Sequence, residues 1–203
     1  DTSEAVTELA TLSADGGTND LTIVIRSDDA TASTAAQLNT INAATALAVD
    51  LTNVTALAGS SLADLGTLAT AINASQFSNA SGLTTIAVTD TTIDATTLAA
   101  RITSYDAIGG TTNMTLASGA TINVDAGEIT AMLDDETAGR LTIVDQVINV
   151  TGAITVDNAN LLGATTDGKL TATIATSETA EELATLSADG GTNDLTIVLG
   201  TGN

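Results

Sequence analysis

The 203 residues of the chain include 25 acidic and only four basic side chains, and the net charge of −21 excludes the cationic surface that nucleic acids and anionic membranes require. The chain has no cysteine and no histidine, which excludes disulfides, thiolate metal sites and catalytic groups built on these residues. No run of residues is long and apolar enough to insert into a bilayer.

The apolar residues are almost all small and aliphatic. Ala, Val, Leu and Ile supply nearly all of them, Phe77 and Tyr105 are the only aromatic residues, and Trp and Pro are absent. A core without aromatic bulk favours thin, repetitive layers of aliphatic side chains. An acidic chain rich in Thr and Ala also fits disorder, but the positive mean hydropathy and the periodic Ile, Val and Leu clusters argue against it.

A long segment of the chain occurs twice. Residues 3–24, SEAVTELATLSADGGTNDLTIV, return at residues 177–198 with differences only at positions 5, 6 and 7 of the first copy, and the offset is 174 residues. This duplication predicts that residues 1–203 form one continuous array, in which 3–176 are a 174-residue repeat unit and 177–203 begin the next. Because residue 1 is Asp rather than Met, we expect a processed chain or a piece of a longer one.

A shorter rhythm lies inside the 174-residue period. Apolar, β-branched runs typical of strands open at Asp20, Ala46, Gly82, Thr112, Arg140, Lys169 and Asp194. Each run is followed by apolar residues at helical spacing, such as Leu62, Leu65 and Leu68, within two or three turns. Strand, helix and strand in this order predict parallel pairing. The pattern therefore predicts an α/β solenoid with one short helix per rung, about 29 residues per rung and six rungs per unit. The alternative is an ordinary α/β sandwich with a closed, doubly wound sheet.

The turn DGGTND, at residues 15–20 and again at 189–194, offers oxygen-bearing side chains on a glycine-rich loop, which is typical of calcium sites. The residues that would bind the ion are Asp15, Asn19, Asp20, Asp189, Asn193 and Asp194. The phrase GGTNDL resembles part of the calcium-binding nonapeptide repeats of secreted bacterial toxins and adhesins, although one turn glycine is missing and no adjacent copy follows. The resemblance implies Ca²⁺ as a cofactor. The alternative is a plain turn between helix and strand.

Other polar clusters have structural and functional interpretations. The acidic clusters at 28–29 and 134–136 fit solvated loops, and neither has the spacing of an EF-hand or of a paired-carboxylate active site. Lys169 fits a charge at a strand edge. Five N-x-S/T sequons, which also arise by chance in a chain rich in Asn, Ser and Thr, are headed by Asn53, Asn73, Asn79, Asn113 and Asn149.

The rhythm of LTIxV strands and xxLxxL helices in a large near-identical repeat resembles the giant repetitive cell-surface proteins of marine bacteria and cyanobacteria, including large adhesins. The resemblance implies secretion and a structural or adhesive role at the cell surface. Independently, strands at the ends of a parallel array need partners for their backbone groups, so we expect copies to stack head to tail or as tandem repeats. The predicted assembly residues are Leu21, Ile23, Leu195 and Ile197.

Three functions were weighed on this basis. The first is a structural repeat of an extracellular filament, stalk or surface layer, and the second is a calcium-dependent adhesin segment that binds glycan or a surface. The third, a polysaccharide-cleaving enzyme, is disfavoured because such sites combine acids with basic and aromatic residues, which this chain nearly lacks. The chain also has no nucleophile elbow, phosphate loop or dinucleotide fingerprint. We therefore predict a protein that is not an enzyme.

Overall fold

The computed structural model describes residues 4–12, 19–187 and 193–198. The α-helices of this part of the chain are α1 (Val6–Leu9), α2 (Ala35–Ala43), α3 (Leu62–Asn73), α4 (Ala95–Gly109), α5 (Ile129–Thr137), α6 (Val156–Thr165) and α7 (Ala180–Leu183). The strands are β1 (Val49–Asp50), β2 (Ala56–Ser60), β3 (Phe77–Ser78), β4 (Thr85–Val88), β5 (Thr92–Asp94), β6 (Asn113–Thr115), β7 (Thr121–Asp125), β8 (Leu141–Thr142), β9 (Val147–Ile154), β10 (Leu170–Ile174) and β11 (Asp194–Ile197). No helix in the described ranges is long and apolar enough to cross a membrane.

The chain divides into two compact units. Unit 1 comprises Asp1–Thr89 and Ala100–Thr115, and unit 2 comprises Asp90–Ala99 and Leu116–Asn203. The strands pair in parallel throughout, in sheets of two, four and five strands.

Unit 1 contains short parallel strands whose buried apolar residues lie opposite one another and form a row across the sheet. β1 pairs with β3, while β2, β4 and β6 follow one another in the four-stranded sheet. Leu57 of β2 is opposite Ile86 of β4, which is opposite Met114 of β6, and all three side chains are buried. Burial of one such aliphatic side chain stabilises the fold by about 1.5–3 kcal/mol, so this row of three residues is a substantial part of the core of unit 1.

Unit 2 contains the five-stranded sheet, in the order β11-β10-β9-β7-β5. Its central row of paired, buried residues is Ile93, Ile122, Ile148 and Leu170. A second row joins Ile154 of β9, Ile174 of β10 and Ile197 of β11. All residues of the two rows except Leu170 are isoleucines, and β-branched residues favour strands because they pack well on a pleated surface.

Several helices begin where the hydroxyl of Ser or Thr binds a free backbone N–H group. The Ser61 hydroxyl accepts from Asp64 N at 3.1 Å at the start of α3. Thr34, Thr155 and Thr179 do the same for α2, α6 and α7.

The two aromatic residues lie in the interior of unit 1. Phe77 is buried in β3, and Tyr105 is buried on the part of α4 that belongs to this unit. The Tyr105 hydroxyl donates to Leu65 O at 3.0 Å, which pairs its polar atom inside the core. Burial raises the pKa of the Tyr105 hydroxyl well above its ordinary value.

The prediction of a solenoid with one sheet and six rungs per 174 residues is wrong. The chain is an α/β fold whose described residues form three parallel sheets and seven α-helices. The sequence period located strand and helix segments, but nothing in it specified which strand pairs with which. The two copies of the duplicated sequence share a short helix at equivalent positions, α1 and α7, but residues 194–197 form β11 whereas residues 20–23 form no strand. The division into a 174-residue unit and the start of the next stays a prediction.

Candidate functional site

The predicted assembly residues lie in two extended segments at the borders of sheets, one in each unit, and only the second of these segments is a strand. The first edge is residues 21–25, which run beside β1: Ile25 N donates to Asp50 O at 3.1 Å, and Asp50 N donates to Ile23 O at 2.9 Å. Val24 pairs with Asp50 in a single parallel bridge. Ile23 is buried, whereas Leu21 is 40% exposed. The first edge therefore presents Leu21 at the surface and holds Ile23 in the core of unit 1.

An apolar recess lies between α1 and the first edge. Its volume is about 170 Å³, and it is lined by Glu4, Leu9, Leu12, Leu21, Thr22, Ile23 and Val24. Most of the lining is aliphatic, and Glu4 is its charged residue. A recess of this size and character accommodates one or two aliphatic side chains of another surface.

The second edge is β11 with Val198, which together form the outer border of the five-stranded sheet. β11 pairs with β10 along one side, with Leu195 opposite Ala172 and Ile197 opposite Ile174. Ile174 is buried, but Ile197 is 47% exposed and Val198 is 49% exposed. The second edge therefore continues a buried row of isoleucines into solvent.

The predicted calcium residues are engaged in contacts within the chain where they are described. Asn193 Oδ1 accepts from Leu170 N at 3.0 Å, and Asp194 Oδ2 pairs with Lys169 Nζ at 3.2 Å. Asn19 lies beside the next segment, where its backbone oxygen accepts from Ala46 N at 2.8 Å. Asp20 is exposed, and Asp15 and Asp189 lie outside the described residues. Calcium binding at these turns stays a prediction.

The described residues hold no group of three or more acidic side chains that could bind a metal ion. The pair at 28–29 is split, because Asp28 is exposed while Asp29 is buried. Asp29 Oδ2 accepts from Val6 N at 3.1 Å and pairs with Arg26 Nε at 3.2 Å. In the other cluster Asp135 Oδ1 pairs with Arg140 at 2.6 Å. Both clusters therefore stabilise local structure.

The five sequons lie in different environments. Asn73 is exposed at the end of α3, while Asn113 is in β6 and Asn149 is in β9. The amide of Asn53 donates to Ile25 O at 2.8 Å, and that of Asn79 donates to Asp50 Oδ1 at 3.0 Å. An N-glycan requires a free side-chain amide, so Asn73 is best placed to accept one. Glycosylation stays a prediction for all five.

Three buried threonines beside the strands were missed by sequence reasoning. Thr45 binds the first edge, since its hydroxyl accepts from Leu21 N at 3.2 Å and lies 2.8 Å from Leu21 O. The Thr112 hydroxyl donates to Leu83 O at 3.0 Å, and the Thr166 hydroxyl to Gln146 O at 2.6 Å. In a chain so rich in Thr, no local signal distinguishes these three from exposed threonines.

A carboxylate beside the first edge is held in its charged form. Asp50 accepts hydrogen bonds from the Asn79 amide and from the hydroxyl and the N–H of Thr52, and these lower the pKa of its carboxyl group. The same residue pairs its backbone with Ile23 and Ile25. Asp50 therefore joins the loop containing Asn79 to the first edge.

No protein-family model, curated protein or solved structure matches the chain.

Proposed function

We propose that this chain is a structural protein that associates with copies of itself through its two strand edges, as a repeat of an extracellular filament, stalk or surface layer. In this proposal the second edge of one copy adds to the first edge of the next. Such a contact is heterologous, because it joins two different surfaces, and it extends from copy to copy. The chain acts by assembly and performs no catalysis.

The observation that carries the proposal is the exposed end of an otherwise buried row of isoleucines. Ile154 and Ile174 are buried, whereas Ile197, in the same row, is 47% exposed. The outer side of β11 also presents backbone N–H and C=O groups that pair with no described strand. A parallel strand with exposed apolar side chains is a template for another strand.

The recess beside the first edge suits the side chains of the second. Ile197 and Val198 are neighbouring aliphatic groups, and the recess is lined mainly by Leu9, Leu12 and Leu21. The opposing effect is electrostatic, because each copy carries a net charge of −21. Salt screens such repulsion over about 8 Å at 0.15 M, so we expect association to strengthen with ionic strength.

The experiment compares Ile197→Asp with Leu161→Asp. Leu161 is 54% exposed on α6 and lies outside both edges, so both variants add the same charge at an exposed aliphatic position. The molar mass in solution is measured by light scattering at low and high salt. We expect wild type and Leu161→Asp to form species above 20.0 kDa at high salt, and Ile197→Asp to remain monomeric.

Electron microscopy of the same samples tests the form of the assembly. Elongated particles in the wild type, absent in Ile197→Asp, agree with a heterologous contact. A wild-type protein that stays monomeric at every salt concentration contradicts the proposal. So does association that survives Ile197→Asp but is lost in Leu161→Asp.

A further inference from the structure

A polar groove in unit 1 has properties that neither strand edge explains. It lies along α2 and α3, has a volume of about 570 Å³, and is lined by polar and small side chains together with Arg101 of α4. Grooves of about 300–1,000 Å³ with a few well-placed polar groups are typical of small-molecule sites. None of the residues that line the groove belongs to either edge, so a ligand could bind there whether or not the protein associates with itself.

Arg101 differs from the other cations of the described residues. Arg26, Arg140 and Lys169 each form an ion pair with an aspartate. Arg101 has no carboxylate partner in the described part of the chain, and its Nε donates to Leu62 O at 3.1 Å. This one hydrogen bond orients the guanidinium group and leaves its two terminal nitrogens available to a ligand.

Gly66 is what allows Arg101 to take this position. A Cβ atom at Gly66 would lie 2.6 Å from the central carbon of the guanidinium, closer than atoms can approach. Gly66 is in the interior of α3, where glycine costs about 1 kcal/mol relative to alanine. Helix α3 is therefore locally less stable at the position where the Arg101 guanidinium packs against it.

The opposite side of the groove supplies amide groups. Asn39 donates through Nδ2 to Asp64 O at 3.0 Å, but its Oδ1 is buried without a hydrogen-bond partner. The Asn42 amide donates to Gln76 Oε1 at 3.0 Å, and Thr70, whose hydroxyl donates to Gly66 O at 2.9 Å, lines the same groove. Asn39 Oδ1 is closed to solvent, so the amides of Asn42 and Gln76 are the groups on this side that a ligand can reach.

We propose that this groove binds a sugar acid, such as a uronic acid, either free or as a residue of an acidic polysaccharide. The ligand carboxylate pairs with the two terminal nitrogens of Arg101, a geometry that guanidinium groups favour. The sugar hydroxyls bond to the amides of Asn42 and Gln76, which also line the groove. Both aromatic residues are buried, so the site binds by hydrogen bonds and charge without ring stacking.

The test is titration calorimetry of the full chain with three probes: glucuronate, a galacturonate trimer and glucose. Salt is kept high, because the net charge of −21 opposes the approach of any anion. We expect glucuronate to bind about tenfold or more tightly than glucose, since a charge-assisted pair is lost with the neutral sugar. Tighter binding of the trimer identifies a polysaccharide as the source, and equal binding identifies the free acid.

Two variants and a control locate the site. Arg101→Gln removes the guanidinium, and Gly66→Ala displaces it while favouring the helix. Arg140→Gln removes the same charge from the ion pair with Asp135 and serves as the control. We expect the first two to lower affinity for glucuronate by about tenfold or more and the control to leave it unchanged.

Folding of each variant is checked by its thermal unfolding midpoint. Amide NMR spectra of the wild type add a readout at Asn42 and Gln76, whose side-chain signals should shift with glucuronate. Absence of binding at the highest soluble probe concentration overturns the proposal. Equal affinity for glucose and glucuronate, or undiminished binding in a folded Arg101→Gln, also overturns it.

Discussion

Two stretches of almost the same sequence have different structures in this protein. Residues 8–24 and 182–198 are identical. In the first copy Leu9 and Ile23 are buried, whereas in the second copy Leu183 is half-buried and Ile197 is 47% exposed. The second copy forms β11, while in the first only Val24 takes part in strand pairing. Identical residues therefore reach different burial and different backbone pairing.

The neighbouring segment accounts for the difference. The first copy is covered by residues that follow it: Asp50 pairs with its backbone, Thr45 binds its Leu21, and Asp29 binds the first N–H of α1. On the second copy, β10 occupies one side of β11, and the other side borders no described strand. Burial of a duplicated residue therefore depends on the segment that packs against it. The outer side of β11 borders no described strand, so the second edge is suited to bind such a segment.

The largest expected contrast is between Ile23→Ala and Ile197→Ala. The first substitution removes buried atoms and leaves a cavity, so we expect a loss of about 3 kcal/mol in the free energy of unfolding. The second removes atoms at an exposed edge and should change it by about 0.5 kcal/mol or less. Urea denaturation of dilute, monomeric protein measures both. Equal losses at the two positions would contradict the difference in burial.

The same two variants also test the assembly proposal when they are measured at high salt and high protein concentration. If Ile197 becomes buried against the first edge of another copy, Ile197→Ala should then reduce the mass of the assembled species. Ile23→Ala should act mainly through the stability of unit 1. Light scattering and unfolding curves separate these two effects.

A second contrast concerns the N–H that opens α1. Asp29 Oδ2 accepts from Val6 N inside unit 1, so Asp29→Leu leaves a buried donor without a partner, and we expect a loss of about 1–3 kcal/mol. Asp29→Asn keeps an oxygen acceptor and should cost less. Hydrogen exchange at the Val6 amide should speed up in Asp29→Leu. An unchanged exchange rate at Val6 would show that Asp29 does not protect this helix.

The sequence predicted much of the local structure and little of its arrangement. The 3.6-residue spacing in α3 and the alternating run that opens at Lys169 identified a helix and the strand β10 correctly, because both patterns follow from local geometry. Pairing was not predictable, since β6 and β7 lie within one predicted rung yet belong to different sheets. The solenoid prediction failed at that step.

The polar groove shows the same limit for function. Arg101, Gly66 and Asn39 are far apart in the sequence and belong to three different helices. No motif joins them, and an arginine without a carboxylate partner is recognisable only once the helices are packed. Leu21 and Ile197, by contrast, could be proposed as edge residues from the duplicated run DLTIV, because each run is a continuous stretch of sequence and no distant residue is needed to identify it.

A smaller contrast concerns Thr45, which holds only the first copy. Thr45→Val keeps the shape of the side chain but removes the hydroxyl that binds Leu21 N and Leu21 O, and we expect a loss of about 1 kcal/mol. Leu195, the equivalent of Leu21, lies in β11 and pairs with Ala172 of β10. Amide exchange should therefore accelerate at Leu21 and stay constant at Leu195. Faster exchange at both would mean that the substitution weakens the whole fold.

The smallest expected effect comes from one of the three positions at which the copies differ. Glu8 accepts from Ala5 N at 3.0 Å, while Glu182 accepts from both the N–H and the hydroxyl of Thr179, at 2.7 and 2.8 Å. In both copies the backbone hydrogen bond is the main cause that lowers the pKa of the carboxyl group. Ala5→Thr supplies the missing hydroxyl, so the pKa of Glu8 should fall further, as followed by carbon NMR of its carboxyl group.

The sign of the pH dependence follows from the lowered pKa of these two carboxyl groups. A carboxylate whose pKa is lower in the folded than in the unfolded state stabilises the fold above the unfolded value of about 4.3, and this contribution disappears as the pH falls through the folded pKa. Ala5→Thr should therefore increase stability at neutral pH and lose that gain in acid. Glu8→Gln keeps an acceptor but cannot titrate, so in this background the gain should no longer depend on pH. A gain from Ala5→Thr that persists at pH below the folded pKa would show that the threonine stabilises α1 without acting through Glu8.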